Sequence, residues 1–358
     1  MKPSMITFCF LFLLGGCAEP AAKITWSWGP VAPMPKSAWI TTAAGDSVVT
    51  VGGTYWATSS DENDVKIWMT EVHQMNLSDR QWKSLPDYPL PVGVTYAACV
   101  HDKLYVIGGQ GNQKVHSETY ILDLKETPPR WRQGPSLPEP RWGLKGGVID
   151  ETIYIIGGLI ESKSETVSNV LALDTTEPEK GWRPIADLPA PETQWQFAAS
   201  CGKKLYLFGG GVEIDDTPKA TEEGVLRIPE NVFLPLMPQA EVFSLDVASG
   251  KWQQLRDLPI PKCFAECVAV DERHIVIIGG VDAVLSAQDT PDKRPRISVS
   301  SQCWLYDTHR DTYKPLAPLK KAVCDHGLAA IGDTLLVIAG EGTTFRTRTD
   351  LVQLGRIH

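Results

Sequence analysis

Aromatic and charged side chains occur close together at several points of this 358-residue chain, in short polar stretches between apolar runs. An aromatic ring can stack on the C–H face of a sugar, and a nearby charged group can hydrogen-bond its hydroxyls. The pairing therefore favours a sugar-binding surface, although some of the rings should instead pack between structural units. The candidate substrate-binding residues are Trp39, Tyr55, Trp56, Arg141, Trp142, Trp195, Asp325 and His326.

Several other chemistries lack the residues they need. The chain has no glycine-rich phosphate loop, no Gly-x-Ser-x-Gly motif, no metal-binding pair of histidines and no Cys-x-x-Cys motif. We therefore expect no cofactor and no metal. The formal net charge of −9 comes without a basic stripe, which argues against nucleic acid as a partner. The expected partner is a small sugar or glycan, with a protein on the same surface as an alternative.

A recurring pair of small residues shows which elements must position these side chains. Six apolar runs end in such a doublet, and the doublets follow one another at intervals of 49 to 70 residues. A recurring unit of about 50 residues is typical of a propeller blade. The doublets are Gly52-Gly53, Gly108-Gly109, Gly157-Gly158, Gly209-Gly210, Gly279-Gly280 and Ala339-Gly340.

Each unit repeats more than its doublet. A buried strand precedes the doublet, an alternating strand follows a polar loop, and an aromatic residue such as Trp131 or Trp182 comes next, followed by a Leu-Pro turn. Four short strands cannot bury both of their faces alone, so the units should stack as blades in a ring. The glycines should provide a positive φ where side chains would crowd the central channel.

This pattern resembles the kelch repeat over almost the whole chain after its first residues. The resemblance implies an all-β fold, a six-bladed kelch-type β-propeller in a single domain over residues 23–356. The segment from Ile24 to Pro35 matches the strand and turn that end a blade, yet no blade precedes it. We therefore predict that the amino-terminal strand closes the last blade, leaving no open sheet edge.

The predicted topology gathers the candidate residues at one end of the ring. In a four-stranded blade, the loop after the doublet and the loop before the next inner strand emerge on the same side. Three of the post-doublet loops are long, at 54–69, 211–239 and 281–301, and long loops on a compact domain are often functional. We predict that the second of these loops forms a lid.

A segment of the last unit, from Ala339 to Asp350, resembles N-acetylneuraminate epimerase, a family of kelch-type sialic acid mutarotases. In that family Gly-Glu is followed within a few residues by Arg-Thr-Asp. The resemblance implies that Glu341 transfers the proton and that Arg348 binds the substrate carboxylate, with Arg346 as an equally reachable choice. The spacing is one residue longer here and the motif lies in the last blade, which fits a cyclically permuted member.

The implied function is a mutarotase or epimerase for an acidic sugar. The alternative is a non-catalytic propeller that binds a glycan or a protein through the same loops. An enzyme predicts that Glu341 converges with Arg346 or Arg348 in an enclosed pocket beside Trp39, Trp56 or Trp195. A binding module predicts an open face on which these charges are splayed or paired with each other.

The first 17 residues are typical of an export signal. A short apolar run after Lys2 ends in Leu14-Gly15-Gly16-Cys17, which resembles a bacterial lipobox. The resemblance implies cleavage before Cys17, a lipid on its sulfur, and a periplasmic or cell-surface lipoprotein, with the outer membrane favoured. Export permits disulfides, but the six later cysteines should be mostly free and buried, with Cys303 and Cys324 as candidates for a bridge.

Overall fold

The six predicted units form six antiparallel sheets. The structure is a computed structural model that describes residues 23–57, 65–112, 114–160, 165–190, 193–213, 236–284, 296–342 and 348–358. Within these ranges there are six four-stranded sheets, and the only helix is a 3-10 turn at Pro178–Lys180. None of the described helices is long and apolar enough to span a membrane. The prediction of an all-β fold is confirmed.

We call the sheets blades 1 to 6 in chain order, and each has an inner strand, two middle strands and an outer strand. From inner to outer the strands are, in blade 1, Ile40–Ala44, Ser47–Val51, Val72–Asn76 and Trp82–Leu85; in blade 2, Tyr96–Val100, Lys103–Gly111, Lys114–Asp123 and Trp131–Gln133; in blade 3, Lys145–Ile149, Thr152–Ile156, Asn169–Asp174 and Arg183–Asp187; in blade 4, Phe197–Cys201, Lys204–Phe208, Val242–Asp246 and Lys251–Gln254; in blade 5, Glu266–Ala269, His274–Ile278, Cys303–Asp307 and Thr312–Leu316; and in blade 6, Gly327–Ile331, Thr334–Ile338, Val352–Ile357 and Ile24–Trp28.

The inner strands contact one another in chain order, and that of blade 6 returns to contact that of blade 1. The blades therefore close a ring, which is a β-propeller. Each adjacent pair of blades shares a cluster of buried apolar side chains. The second strands supply much of this core, since Val48, Val106, Leu205 and Ile277 have no exposed surface. The core thus lies between the blades, as expected for sheets that cannot bury their faces alone.

The glycine doublets link neighbouring blades. The first residue of each doublet has a left-handed φ between 48° and 63°. In blades 1, 2, 4, 5 and 6 the N–H of the second glycine donates to a carbonyl of the next blade, as from Gly210 to Lys262 at 2.8 Å. A Cβ on Gly209 would collide with this same carbonyl oxygen. The predicted positive φ is confirmed, but the neighbouring blade, and not the central channel, is what excludes the side chain.

The recurring aromatic residue of the outer strand also joins blades. The indole N–H groups of Trp131 and Trp182 donate to the carbonyls of Pro86 and Pro135 in the preceding blade, both at 2.9 Å. In blade 6 the equivalent residue is Trp26 of the amino-terminal strand, which donates to Ala317 of blade 5 at 2.9 Å. This equivalence identifies the amino-terminal strand as the outer strand of blade 6.

The amino-terminal strand closes the ring in the predicted way. Ile24–Trp28 pairs antiparallel with Val352–Ile357, the last strand of the chain, in continuous register from Ile24↔Ile357 to Trp28↔Gln353. Lys23 and His358 exchange backbone hydrogen bonds at 2.9 and 3.2 Å. The boundaries 23–356 of the domain stay a prediction, although the described strands run from Ile24 to Ile357.

Short ribbons extend some blades beyond their doublets. They are Thr54–Ala57 with Val65–Trp68 in blade 1, Leu159–Ile160 with Glu165–Thr166 in blade 3, Gly211–Glu213 with Leu236–Pro238 in blade 4, and Lys262–Cys263 with Val281–Val284 and Arg296–Val299 in blade 5. Apart from Lys262–Cys263, the ribbons of blades 1, 4 and 5 lie within the three long loops predicted from the sequence. The predicted lid lies mostly in 214–235, outside the described residues.

The cysteines of the described chain are free thiols, and Cys303 and Cys324 form no bridge. Both are buried, and burial raises the pKa of each thiol, that of Cys303 to about 12. These cysteines therefore behave as small apolar residues of the core, as the sequence predicted for most of them. The export signal and Cys17 lie outside the described residues.

Candidate functional site

Six equivalent residues form a ring around one end of the central channel. Each lies two positions before an inner strand and has a left-handed φ, between 49° and 69°. All six line one small cavity of about 30 Å³. We call this ring the mouth. Its members are Ala38, Val94, Gly143, Trp195, Phe264 and Asp325.

One side of the mouth is aromatic. The rings of Trp195 and Phe264 stack with centroids 4.8 Å apart, and Trp142 meets Trp195 edge-on at 5.3 Å. Trp195 and Phe264 occupy the same position in neighbouring blades 4 and 5, so the ring geometry itself brings them together. The outcome is a continuous cluster of three aromatic rings on this side of the mouth.

The other side of the mouth carries the predicted proton-transfer group, Glu341, and the predicted carboxylate ligand, Arg348. Glu341 directly follows the doublet of blade 6, and its backbone pairs with Cys324 and Arg348. Arg348 Nη1 lies 2.6 Å from Glu341 Oε1, and the two side chains are only 8% and 11% exposed. Ser37 of blade 1 donates its hydroxyl to the same carboxylate oxygen at 3.3 Å. The candidate site thus spans the junction of blades 6 and 1.

The ion pair leaves hydrogen-bonding capacity unused. Within the described chain, Glu341 Oε2 and Arg348 Nε have no hydrogen-bonding partner. Arg348 Nη1 is close to Oε1, but the contact lacks the angles of a hydrogen bond. The pair is therefore a charge contact rather than the bidentate fork that arginine forms with a well-aligned carboxylate.

Burial makes Glu341 a much weaker acid than a solvent-exposed glutamate. It raises the pKa of the Glu341 carboxyl, the negative charge of Asp325 adds to the effect, and Arg348 and Lys66 oppose it, with a net pKa of about 7. Burial also raises the pKa of Asp325, whose carboxylate accepts the N–H of Ala38 at 3.0 Å. A carboxyl group that titrates near neutral pH suits proton transfer.

Arg141 is not at the mouth surface. It is 1% exposed, and its guanidinium donates to Glu139 at 2.7 Å, Asn169 at 2.8 Å and the carbonyl of Gly157 at 3.4 Å. Lys36 and Lys262 hold the same position in blades 1 and 5 and likewise donate to the first glycine of their own doublets. Arg141 therefore links its own doublet to neighbouring side chains inside blade 3 and does not face the mouth.

The buried pair of Lys262 with Asp282 gives a prediction about stability. Lys262→Met should lower the free energy of unfolding by about 3–5 kcal/mol, because Asp282 would keep a buried charge without its partner. Urea denaturation would measure the loss. Lys251→Met, on the exposed outer strand of blade 4, is the matched control. A loss below about 1 kcal/mol, the range of exposed ion pairs, would contradict this role.

Two other predicted site residues are largely enclosed between blades. Trp39 packs among core residues of blades 6 and 1 and reaches the mouth cavity only with part of its surface. His326 is 2% exposed, and burial lowers its pKa to about 3, so the imidazole is neutral at physiological pH. Tyr55 and Trp56 lie half-buried on the blade 1 ribbon, where Trp56 pairs with Lys66.

A larger cavity of about 290 Å³ runs below the mouth along the ring axis. Lys145 and Glu266, the first residues of the inner strands of blades 3 and 5, form an ion pair and line both cavities. They therefore form the floor of the mouth. Among the described residues, no three His, Cys, Asp or Glu side chains meet in a way that could hold a metal.

The structure brings together Trp142, Trp195, Asp325, Glu341 and Arg348 around the mouth. Arg346, the alternative carboxylate ligand, lies outside the described residues. Sequence reasoning missed the contact of Ser37, the floor pair Lys145–Glu266 and the position of Lys66. The only available signal was that Lys145 and Glu266 each open an inner strand in equivalent blades.

The comparison with known families agrees with the fold. The sequence matches the family described as the KLHDC2/KLHL20/DRC7 Kelch-repeats domain over residues 38–221 and 97–340. The chain belongs to the kelch-repeat family. The doublets and the outer-strand aromatic residues of this kelch propeller are therefore features of the kelch repeat. No match was found among curated proteins. The function must therefore be inferred from the geometry of the site.

Proposed function

We propose that the mouth of this kelch propeller binds an acidic sugar, N-acetylneuraminic acid or a related compound, and that Glu341 interconverts its anomers. The supporting observation is a buried carboxyl group with a pKa of about 7, an unused Oε2 within the described chain, and an arginine beside it. A group whose pKa lies near the working pH can take up and return a proton in one cycle.

The proposed reaction breaks the bond between the anomeric carbon and the ring oxygen and re-forms it on the other face. Ionised Glu341 takes the proton of the anomeric hydroxyl while a water donates a proton to the ring oxygen, and the ring opens to the keto form. After rotation about the neighbouring C–C bond, Glu341 returns its proton to the carbonyl oxygen and the ring hydroxyl gives its proton back to the water-derived base. No electron or group is lost.

The remaining mouth residues would orient the sugar. Its apolar face would stack on Trp195 and Phe264, and its carboxylate would approach the side of the mouth where Arg348 lies. In this proposal Arg348 binds the carboxylate, as the resemblance to the epimerase family implies, and the incoming anion loosens its contact with Glu341. A guanidinium is suited to this exchange because it binds carboxylates in a defined plane.

The direct test is proton NMR of freshly dissolved, anomerically pure N-acetylneuraminic acid with micromolar protein. The proposal expects a faster approach to the anomeric equilibrium than in buffer alone. An unchanged rate would refute the mutarotase. If the sugar still perturbs ligand signals, the binding part of the proposal would survive without the catalytic part.

A non-catalytic binding module is the second candidate, and one observation favours it. Arg348 Nη1 lies 2.6 Å from Glu341 Oε1. Such pairing of opposite charges is expected of residues with a structural role and not a catalytic one. In that case a glycan or protein partner would use the aromatic side of the mouth. Loss of ligand binding in Trp195→Ala, with no rate acceleration in the wild type, would identify this function.

We also propose that the chain is exported and anchored through a lipid on Cys17, as a periplasmic or cell-surface lipoprotein. The support is the Leu14-Gly15-Gly16-Cys17 segment after a short apolar run. In bacterial cells fed an alkyne-tagged fatty acid, the wild type should carry the label in the membrane fraction, whereas Cys17→Ala should not. Equal labelling of both proteins would refute the anchor.

A further inference from the structure

The blade 1 ribbon starts at the charged side of the mouth. Ser37, which donates to Glu341, also pairs with Thr54, the first ribbon residue, and their hydroxyls lie 3.4 Å apart. Thr54 in turn faces Trp68 across the ribbon. Lys66 lies two residues before Trp68 in the same strand, so that both side chains leave the same face of the ribbon. The ribbon therefore holds a lysine near the Glu341 site, where it experiences the charges of Asp325, Arg348 and Glu341.

The Trp68 ring fixes this lysine. The Lys66 ammonium lies 4.5 Å from the ring centroid, a cation–π distance. The ring itself packs against blade 2, where a Cβ on Gly93 would come within 3.0 Å of it. Because Lys66 is half-buried and leans on a packed ring, its ammonium has less freedom than that of an exposed lysine.

Lys66 differs from the other cations around the mouth in whether a carboxylate lies next to it. Lys36, Arg141, Lys145, Lys262 and Arg348 each have a carboxylate within ion-pair distance. Lys66 has no such partner in the described part of the chain. It experiences the charges of Asp325, Arg348 and Glu341 from farther away, and burial lowers the pKa of its ammonium group.

We propose that Lys66 is the residue that selects an anionic ligand, by receiving its carboxylate together with Arg348. This inference rests on the proposed function and deepens it, because it assigns carboxylate recognition to a residue outside the epimerase-like segment. Arg348 already has an acidic partner, whereas Lys66 offers three donors and a positive charge without one. The Trp68 ring holds the ammonium group in place.

Isothermal titration calorimetry with N-acetylneuraminic acid and with its neutral methyl ester tests the proposal. Lys66→Met should weaken binding of the acid by about 10- to 100-fold, the value of a hydrogen bond to a charged group, and leave the ester unchanged. Lys66→Arg should keep the affinity for the acid within a few-fold. Lys251→Met, an exposed lysine on the outer strand of blade 4, should bind both compounds as the wild type does.

The outcomes separate the two proposals. If the wild type binds the acid and Lys66→Met binds it equally well, the role of Lys66 is refuted. The mutarotase proposal is then decided separately, by the rate of anomer exchange. If Lys66→Met selectively loses the acid but the wild type does not accelerate anomer exchange, recognition by Lys66 holds and catalysis fails. If the wild type binds neither compound, both proposals are refuted. Matching circular dichroism and thermal melting of the variants exclude misfolding as the cause.

Discussion

Glu341→Gln is expected to lower the rate of anomer exchange by about 10²- to 10⁴-fold, the usual contribution of a general acid or base. Glutamine keeps the shape of the side chain and can still accept the hydroxyl of Ser37, but it cannot take the proton of the anomeric hydroxyl. Binding should be preserved or tighter, because Arg348 loses its competing carboxylate. Proton NMR measures the rate, and calorimetry measures the affinity.

The pH profile provides an independent check of this assignment. Burial favours the protonated form and raises the pKa of Glu341 to about 7. The base is therefore mostly protonated at pH 5 and ionised at pH 8 in the free protein, so the wild-type kcat/KM should rise with pH through about 7. Glu341→Gln should lose this rise. Glu151→Gln, an exposed residue on the turn between the first two strands of blade 3, is the control and should keep it. A full rise in Glu341→Gln would assign the titration to another group.

Removing the amino-terminal strand is expected to unfold the propeller. A chain that starts at Gly29 loses five ladder pairs, the indole hydrogen bond from Trp26 to Ala317 and the burial of Ile24. Full burial of a large apolar side chain contributes about 1.5–3 kcal/mol, and a whole domain has only about 5–15 kcal/mol of stability. The truncated chain would also expose an open edge at Val352–Ile357.

The matched control is a chain that starts at Lys23 and keeps the complete strand. It should show a cooperative melt, whereas the shorter chain should aggregate or show no sharp transition by circular dichroism and size-exclusion chromatography. Trp26→Leu should have a smaller effect, because it removes the hydrogen bond but leaves the ladder. Equal melting temperatures for both truncations would show that closure by this strand is dispensable.

The sequence predicted the ring well because the repeat is local. Each doublet, each outer-strand aromatic and the unpaired strand at Ile24 could be recognised without knowing what they touch. Their contacts, such as Trp26 to Ala317, follow once the blades are placed side by side. The predicted convergence of Glu341 and Arg348 depended on a resemblance within one short segment.

The remainder of the site could not be predicted because it depends on the curvature of the ring. Lys145 and Glu266 are 121 residues apart and meet only because their inner strands face the same axis. Arg141 looked like a surface cation beside a tryptophan, yet it is buried and donates to Glu139, Asn169 and the carbonyl of Gly157. Asn169 and Gly157 lie well away from it in sequence, so that no local pattern marks these contacts. No sequence motif marks Lys66, because its position near the mouth depends on the register of the blade 1 ribbon.

The antiparallel closure of blade 6 also determines how the molecule resists a mechanical load. Its ladder bonds run perpendicular to the strands, so a pull along Ile24–Trp28 from the amino-terminal end shears all five pairs together. A pull that separates Lys23 from His358 instead peels the same ladder one pair at a time, starting at Ile24 and Ile357. A force along the amino-terminal strand is thus resisted by all five pairs at once. A force between the two chain ends is resisted by one pair at a time, so the ladder should open at a lower force.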